Sequence, residues 1–172
     1  TMPPLINGES YGFCMVNRNK KSLRLNLRKE KALNILYKLV ETADIFIENF
    51  RPGVTKKLRI DYETLRKINP ELIYCSISGY GQTGPYSHKG GFDIMAQGMS
   101  GIMSMTGEEG GRPVKVGVPI HDIAAGITAL YHILLAYIYK QKTGKGQHID
   151  VSLLESGLVW TVWEAAAYFG AG

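Results

Sequence analysis

The apolar positions of this chain change period several times along its length, and each change marks an element. At 22–27, Leu23, Leu25 and Leu27 alternate with Arg24 and Asn26, the period-two pattern of a half-buried strand. Residues 29–42 switch to helical spacing and place Ala32, Leu33, Leu36, Leu39 and Val40 on one stripe. Residues 44–48 read as a short, mostly apolar strand, closed by Asn49, Phe50, Arg51, Pro52 and Gly53. Two short helices are predicted at 54–58 and 62–68, the second capped by Asp61 and stopped by Asn69 and Pro70. The run 72–77 is a further strand, with apolar residues on both faces. A loop rich in Gly and Pro occupies 79–92, a helix 93–104, and a second turn-rich stretch 107–113. A long apolar helix is predicted over 123–140, ending at Lys142, Thr143 and Gly144 with basic residues in its last turn and a glycine stop. Residues 147–153 form a last strand, and 154–168 a helix carrying Trp160 and Trp163. Strands alternating with helices at this spacing predict an α/β fold with a parallel sheet.

The chain has 172 residues, 45% of them hydrophobic, which suits one α/β domain over 1–172 with a substantial core. Residues 1–12 are turn-rich and poorly patterned, and the chain stops just after an apolar helix. Both ends read as cuts through a longer protein. Cys14 and Cys75 lie far apart and form no C-x-x-C pair, so neither a disulfide framework nor a zinc site is expected, and a cytoplasmic location is. The uncharged apolar stretch 123–138 is short for a membrane span, and no membrane partner is expected.

Twenty Lys and Arg against fifteen Asp and Glu give a formal charge of +5. Arg18, Lys20, Lys21, Arg24, Arg28 and Lys29 crowd together, which suits either an anionic partner or a solvated face. No aromatic-interleaved basic stripe accompanies them, so a non-catalytic domain that binds anions or nucleic acid is the weaker reading, and no nucleic acid is expected.

Asp122 carries the most chemical information. It is the only carboxylate in an otherwise uncharged run over 116–139, and an ionised group there is costly unless something stabilises it or chemistry requires it. The ordinary reading is an N-cap for the following helix. A helix N-terminus also favours the anion, and an unprotonated carboxylate is what a nucleophile must be.

Other signals are weaker. Gly79, Gly81 and Gly84 match G-x-G-x-x-G after a strand, but no helical pattern opens on Gly84, which argues against a dinucleotide site. The histidines His88, His121, His132 and His148 show no metal spacing, and no G-x-S-x-G elbow exists. Asn17, Arg18, Asn19 and Lys20 form a polar, basic block. With Asn49, Phe50, Arg51 and Lys57 they could present amides, cations and one aromatic face to a nucleotide.

Taken in order, these blocks resemble the class III CoA-transferases, the family of formyl-CoA transferase and carnitine CoA-transferase. The matching residues are 17–22, then 43–53 (Ala-Asp-Ile-Phe-Ile-Glu-Asn-Phe-Arg-Pro-Gly), 69–74, 78–86 and Gly91, Phe92 and Asp93. Gly117, Val118, Pro119, Ile120, His121 and Asp122 follow, and last 143–147 (Thr-Gly-Lys-Gly-Gln). The likeness runs over essentially all of residues 11–160.

The resemblance implies a Rossmann-like parallel sheet flanked by helices, the CoA-binding part of the large domain in a two-domain, interlocked-dimer fold. The first strand and the second half of that fold would lie outside this chain, so the piece alone would be inactive. It implies a transferase that moves CoA from an acyl-CoA donor to a small carboxylic acid, with Asp122 as the nucleophile. An acyl–aspartyl anhydride and an aspartyl-CoA thioester would be the intermediates. CoA contacts would come from Asn17, Arg18, Asn19, Lys20, Asn49, Phe50, Arg51, Lys57, Gly90, Gly91, Phe92 and Asp93. No cofactor would be permanently bound; CoA and acyl-CoA are substrates. The fold family also includes α-methylacyl-CoA racemases, which place a histidine before the aspartate of the Gly-x-Asp block. Here that residue is Phe92, which carries no proton, and the transferase reading is favoured.

Overall fold

The computed structural model describes residues 5–171. Thr1, Met2, Pro3 and Pro4, which open the expected turn-rich segment 1–12, and Gly172 lie outside the described residues. The chain divides into two compact units, Thr1–Leu33 and Asn34–Gly172.

In the first unit, β1 (Leu5–Ile6) and β2 (Glu9–Ser10) pair antiparallel around Asn7 and Gly8, both at positive φ. Ser10 caps α1 (Tyr11–Val16), its hydroxyl accepting from the Phe13 N–H at 3.2 Å. The expected strand at 22–27 does not form. Its alternation survives only as exposure, with Leu25 and Leu27 half-buried and Leu23 exposed. A period of two says which side chains turn inward, but a strand also needs a neighbour for its N–H and C=O groups. Among the described residues none pairs with this segment.

Helix α2 (Glu30–Val40) forms as its stripe predicts, with Leu33 and Val40 buried, although Leu39 is exposed. In the second unit the order continues as β3 (Ile45–Glu48), α3 (Val54–Leu58), α4 (Tyr62–Ile68), β4 (Ile73–Ser78), α5 (Asp93–Met99), α6 (Ile120–Thr143), β5 (His148–Ser152), α7 (Leu153–Leu158), a 3-10 turn Val159–Thr161 and α8 (Val162–Ala171). Asp61 caps α4 as expected, accepting from the Thr64 N–H at 3.2 Å. Helix α5 ends five residues short of the expected 104, and the chain turns at Gly101, where φ is +82°. The sheet has the order β3-β4-β5 and all three strands are parallel. Helices α3 and α4 make one crossover and α5 and α6 the other, so the three carboxyl ends lie along one edge.

The two faces of this sheet differ. One carries Ile73, Cys75, Ile77, Ile149 and Val151, packed against Ala96 of α5 and Ala125, Ala129, Ile133 and Ala136 of α6. Small residues on α6 let the helix lie close to the strands. By length and apolarity α6 also qualifies as a membrane span, with 24 residues rather than the shorter stretch read from the sequence. Burial and then the Glu48 and Asp150 charges push the Cys75 thiol up to about 11, which makes it a core residue rather than a reactive one.

The opposite face is polar. Tyr74 and His148 are register partners, as are Ser76 and Asp150, and Ser78 and Ser152. The sequence expectation of apolar residues on both faces of β4 therefore holds throughout the first face and, on the second, only at the buried Tyr74. His148 stacks on Tyr62 (centroids 5.0 Å apart), meets Tyr74 edge-on (5.3 Å) and bonds the Ser76 hydroxyl at 3.0 Å. Desolvation lowers its pKa below the ordinary 6.5, against the opposing pull of Asp150, Glu48 and Glu63. The fold thus favours neutral His148. Its contribution to stability is complete above the unfolded value of 6.5 and is lost as pH falls through it toward the lower folded value. His148→Asn should flatten the fall in Tm between about pH 7 and pH 5, read by thermal melts across pH. An unchanged pH slope would show that the ring's surroundings do not couple its protonation to folding.

Candidate active site

Loops at the carboxyl ends of parallel strands are where α/β folds build sites, and several of the expected contact residues lie there. After β3, the buried Glu48 carboxylate accepts from the Phe50 N–H at 2.8 Å. The Asn49 side-chain amide donates to the Ile77 carbonyl at 2.7 Å, tying the end of β3 to that of β4. Phe50 is left 42% exposed, enough for its face to receive a planar group. Gly53, at φ +85°, then starts α3, whose last turn presents the exposed Lys57.

The 79–92 loop follows β4. A Cβ on Gly79 would sit 2.5 Å from the Gly91 Cα, so the two ends of this loop touch backbone to backbone. Only glycine permits that approach. Arg51 lies across Gly90, its guanidinium 2.9 Å from where a Cβ would be. Gly84, at φ +84°, opens no helix, as the sequence pattern indicated.

Asp122 does not cap α6, contrary to the ordinary reading of its position. The helix begins at Ile120, with Pro119 in the capping position and no side-chain cap of its own. The capping acid comes from another helix. Asp93 Oδ1 accepts from the backbone N–H of His121 at 2.8 Å and of Asp122 at 3.4 Å, and its Oδ2 accepts from the Gln97 side-chain amide at 2.6 Å. Gln97 is fully buried, and its carbonyl oxygen accepts from the Val116 N–H at 2.8 Å. Asp93 and Gln97 thus hold the turn that leads into α6.

Two carboxylates meet at this helix start, and they have different work. Asp93 accepts three hydrogen bonds. Among the described residues nothing donates to the Asp122 carboxylate, which stands exposed in the first turn. Desolvation by the surrounding protein and then the Asp93 charge raise its pKa above the ordinary 3.8, while His121 lowers it. The helix N-terminus, expected to favour the anion, is shared here with a second acid. Chemically this leaves an accessible carboxylate of raised basicity, suited to nucleophilic attack.

His121 is the only histidine beside this acid in sequence. It is fully buried and both ring nitrogens are engaged, with the Ser100 hydroxyl and the Leu153 carbonyl, each at 2.9 Å. It has no path to exchange protons with a substrate. Phe92, in the position where a racemase would carry its histidine, is 67% exposed.

Asn17, Arg18, Asn19 and Lys20 belong to the first unit, where they close α1. The Asn17 amide donates to the Phe13 carbonyl at 2.9 Å, Lys20 Nζ donates to the Val16 carbonyl at 2.6 Å, and Asn19 adopts φ +61°. The block is thus a capped turn at the end of α1. Within the second unit the structure brings Arg51 to Gly90 and Asp93 to the start of α6. Sequence reasoning missed Gln97, whose only mark is its position one helical turn after Asp93, and the partners that surround His121.

A sequence model of CoA-transferase family III matches residues 1–172. Succinate–glutarate CoA-transferase of Agrobacterium fabrum is 48% identical over 159 residues, covering 89% of this chain and 40% of the relative. Mouse succinyl-CoA:glutarate CoA-transferase is 44% identical (96% and 38% covered), and acetyl-CoA:oxalate CoA-transferase of Acetobacter aceti 44% (93% and 41%). A CAIB/BAIF family protein from Brucella suis superimposes with a TM-score of 0.91 at 43% identity, over 97% of this chain and 45% of that one. The chain therefore spans about 40% of the length of the curated relatives it matches.

Proposed function

Because the chain belongs to CoA-transferase family III, we propose that the whole protein moves CoA from an acyl-CoA donor to a small carboxylic acid, with Asp122 as the covalent nucleophile. The observation that carries this reading is the unshared Asp122 carboxylate on a helix start whose capping is done by Asp93. An Asp122 oxygen attacks the thioester carbonyl, the C–S bond breaks, and an acyl–aspartyl anhydride and CoA thiolate result. The thiolate then attacks the aspartyl carbonyl, releasing the donor's carboxylate and leaving an aspartyl-CoA thioester. The acceptor carboxylate repeats the two steps in reverse, forming a second anhydride that the thiolate opens to give the new acyl-CoA and free Asp122. The covalent intermediates split one difficult exchange into easier steps, in each of which one acyl bond forms as another breaks.

The relatives named above act on glutarate, succinyl-CoA and oxalate, which supports a short dicarboxylic acid as the acceptor for this protein. CoA itself is assigned to the edge formed by Asn49, Phe50, Arg51 and the glycine loop, with Lys57 for its phosphates. An intertwined homodimer, as the resemblance implies, is the proposed working assembly.

The nucleophile is tested by incubating the full-length protein with succinyl-CoA and quenching with hydroxylamine. Peptide mass spectrometry should find the hydroxamate at Asp122, and a hydroxamate on a different carboxylate would sink the assignment. The CoA edge has its own test. Gly90→Ala displaces the Arg51 guanidinium that lies against it, and the Kd for CoA should rise about tenfold, or roughly 1.4 kcal/mol, by isothermal titration. An unchanged Kd would remove Arg51 from the CoA site.

A further inference from the structure

We propose that His121 is a positioning residue for the transfer reaction: a buried crosspiece that fixes the orientation of Asp122 by joining the start of α6 to the end of α5 and to the junction of β5 and α7. The inference rests on the reading of Asp122 as nucleophile and goes beyond it. His121 has no solvent exposure although it adjoins an exposed acid. The Leu153 carbonyl, 2.9 Å from Nδ1, can only accept, so Nδ1 carries the hydrogen. Nε2 meets the hydroxyl of Ser100, the residue that ends α5, at 2.9 Å. That hydroxyl also lies 3.3 Å from the Gln97 carbonyl, within the helix that holds Asp93. The ring has room because residue 157, on α7, is glycine, and any Cβ there would overlap it. Three elements therefore converge on one imidazole directly before Asp122 in sequence, while Asp93 fixes the same turn through its backbone N–H groups. The crosspiece sets the direction from which the free carboxylate meets its thioester, and a misplacement near 1 Å costs such a reaction about 10²-fold.

The test uses the full-length protein and steady-state transfer from succinyl-CoA. His121→Asn keeps a donor where Nδ1 stands and removes the Nε2 partner, and Ser100→Ala removes the same contact from the other side. Each should lower kcat by about 10- to 100-fold with the KM for acyl-CoA within about twofold of wild type, as expected when orientation rather than binding is lost. The double variant should lose no more than either single one, since both delete one interaction. Ser100→Thr, which restores the hydroxyl, should recover most of the rate. If His121→Asn does not fold, Ser100→Ala alone decides. Wild-type kcat in a folded Ser100→Ala variant overturns the proposal, as does a change confined to KM. Asp122→Ala separates the two readings. If it still transfers CoA, the nucleophile assignment fails; if it is inactive while Ser100→Ala is normal, only the role of His121 fails.

Discussion

Asp122→Ala in the full-length protein should abolish CoA transfer, lowering kcat by more than about 10⁴-fold, the scale on which a lost nucleophile is felt. The fold should survive the change. The backbone N–H groups of His121 and Asp122 are satisfied by Asp93, not by Asp122 itself, so truncating the side chain leaves no orphaned donor. Loss of a negative charge from the first turn of α6 costs about 0.3–1 kcal/mol, and removal of its repulsion with Asp93 offsets part of this. Thermal melts should differ by only a few degrees and CoA affinity should be retained. Asp122→Glu, which moves the carboxylate by roughly one bond length, should lose about 10²-fold rather than all activity. The pH profile provides a second reading. A protonated acid is no nucleophile, and the raised pKa of Asp122 predicts that transfer fails on acidification before an ordinary aspartate, with its value of 3.8, would protonate. Wild-type rates in the alanine variant would end the covalent reading.

The second large effect is structural. Gly157→Ala should destabilise the protein by about 2 kcal/mol or more, because overpacking a closed interior forces neighbours off their rotamers. In an exposed helix the same change would help, since alanine is favoured over glycine by about 0.8–1.0 kcal/mol. At 157 the added methyl overlaps the ring of His121, which is fully buried and held at both nitrogens. The ring cannot swing aside without giving up the Ser100 or the Leu153 contact. Chemical denaturation measures the loss, and Gly157→Ala combined with His121→Ala should recover part of it by vacating the space. An unchanged midpoint in the single variant would mean that α7 lies farther from α6 than the structure has it.

The elements whose faces follow one period are legible in the sequence. Helices α2, α3 and α4 and strand β3 lie close to where spacing puts them, since an apolar stripe or a capping Asp61 is a local property. The 22–27 segment failed for the complementary reason: alternation is local, but a partner strand is not. The polar second face of the sheet was hidden because Tyr74, Ser76, His148 and Asp150 come from two strands far apart in sequence, and only their register makes one surface. The site divides in the same way. Asp122 was visible as a carboxylate out of place in an apolar run, and Asn49, Phe50, Arg51 and the glycine loop as a closing turn and a permissive backbone. Their mutual placement was not visible.

What the sequence determined by itself is the α/β alternation, the family that its ordered blocks belong to, and a single carboxylate in an otherwise uncharged run. Only the tertiary structure decided what that acid is free to do. A helix N-terminus needs an acceptor, and sequence proximity nominated Asp122 for the task. The acceptor that reaches it is Asp93, twenty-nine positions away from Asp122 and delivered by the packing of α5 against α6. Hydrogen bonds are made to whatever folding brings within about 3 Å, without regard to separation along the chain. That distant cap is what leaves the Asp122 carboxylate unshared.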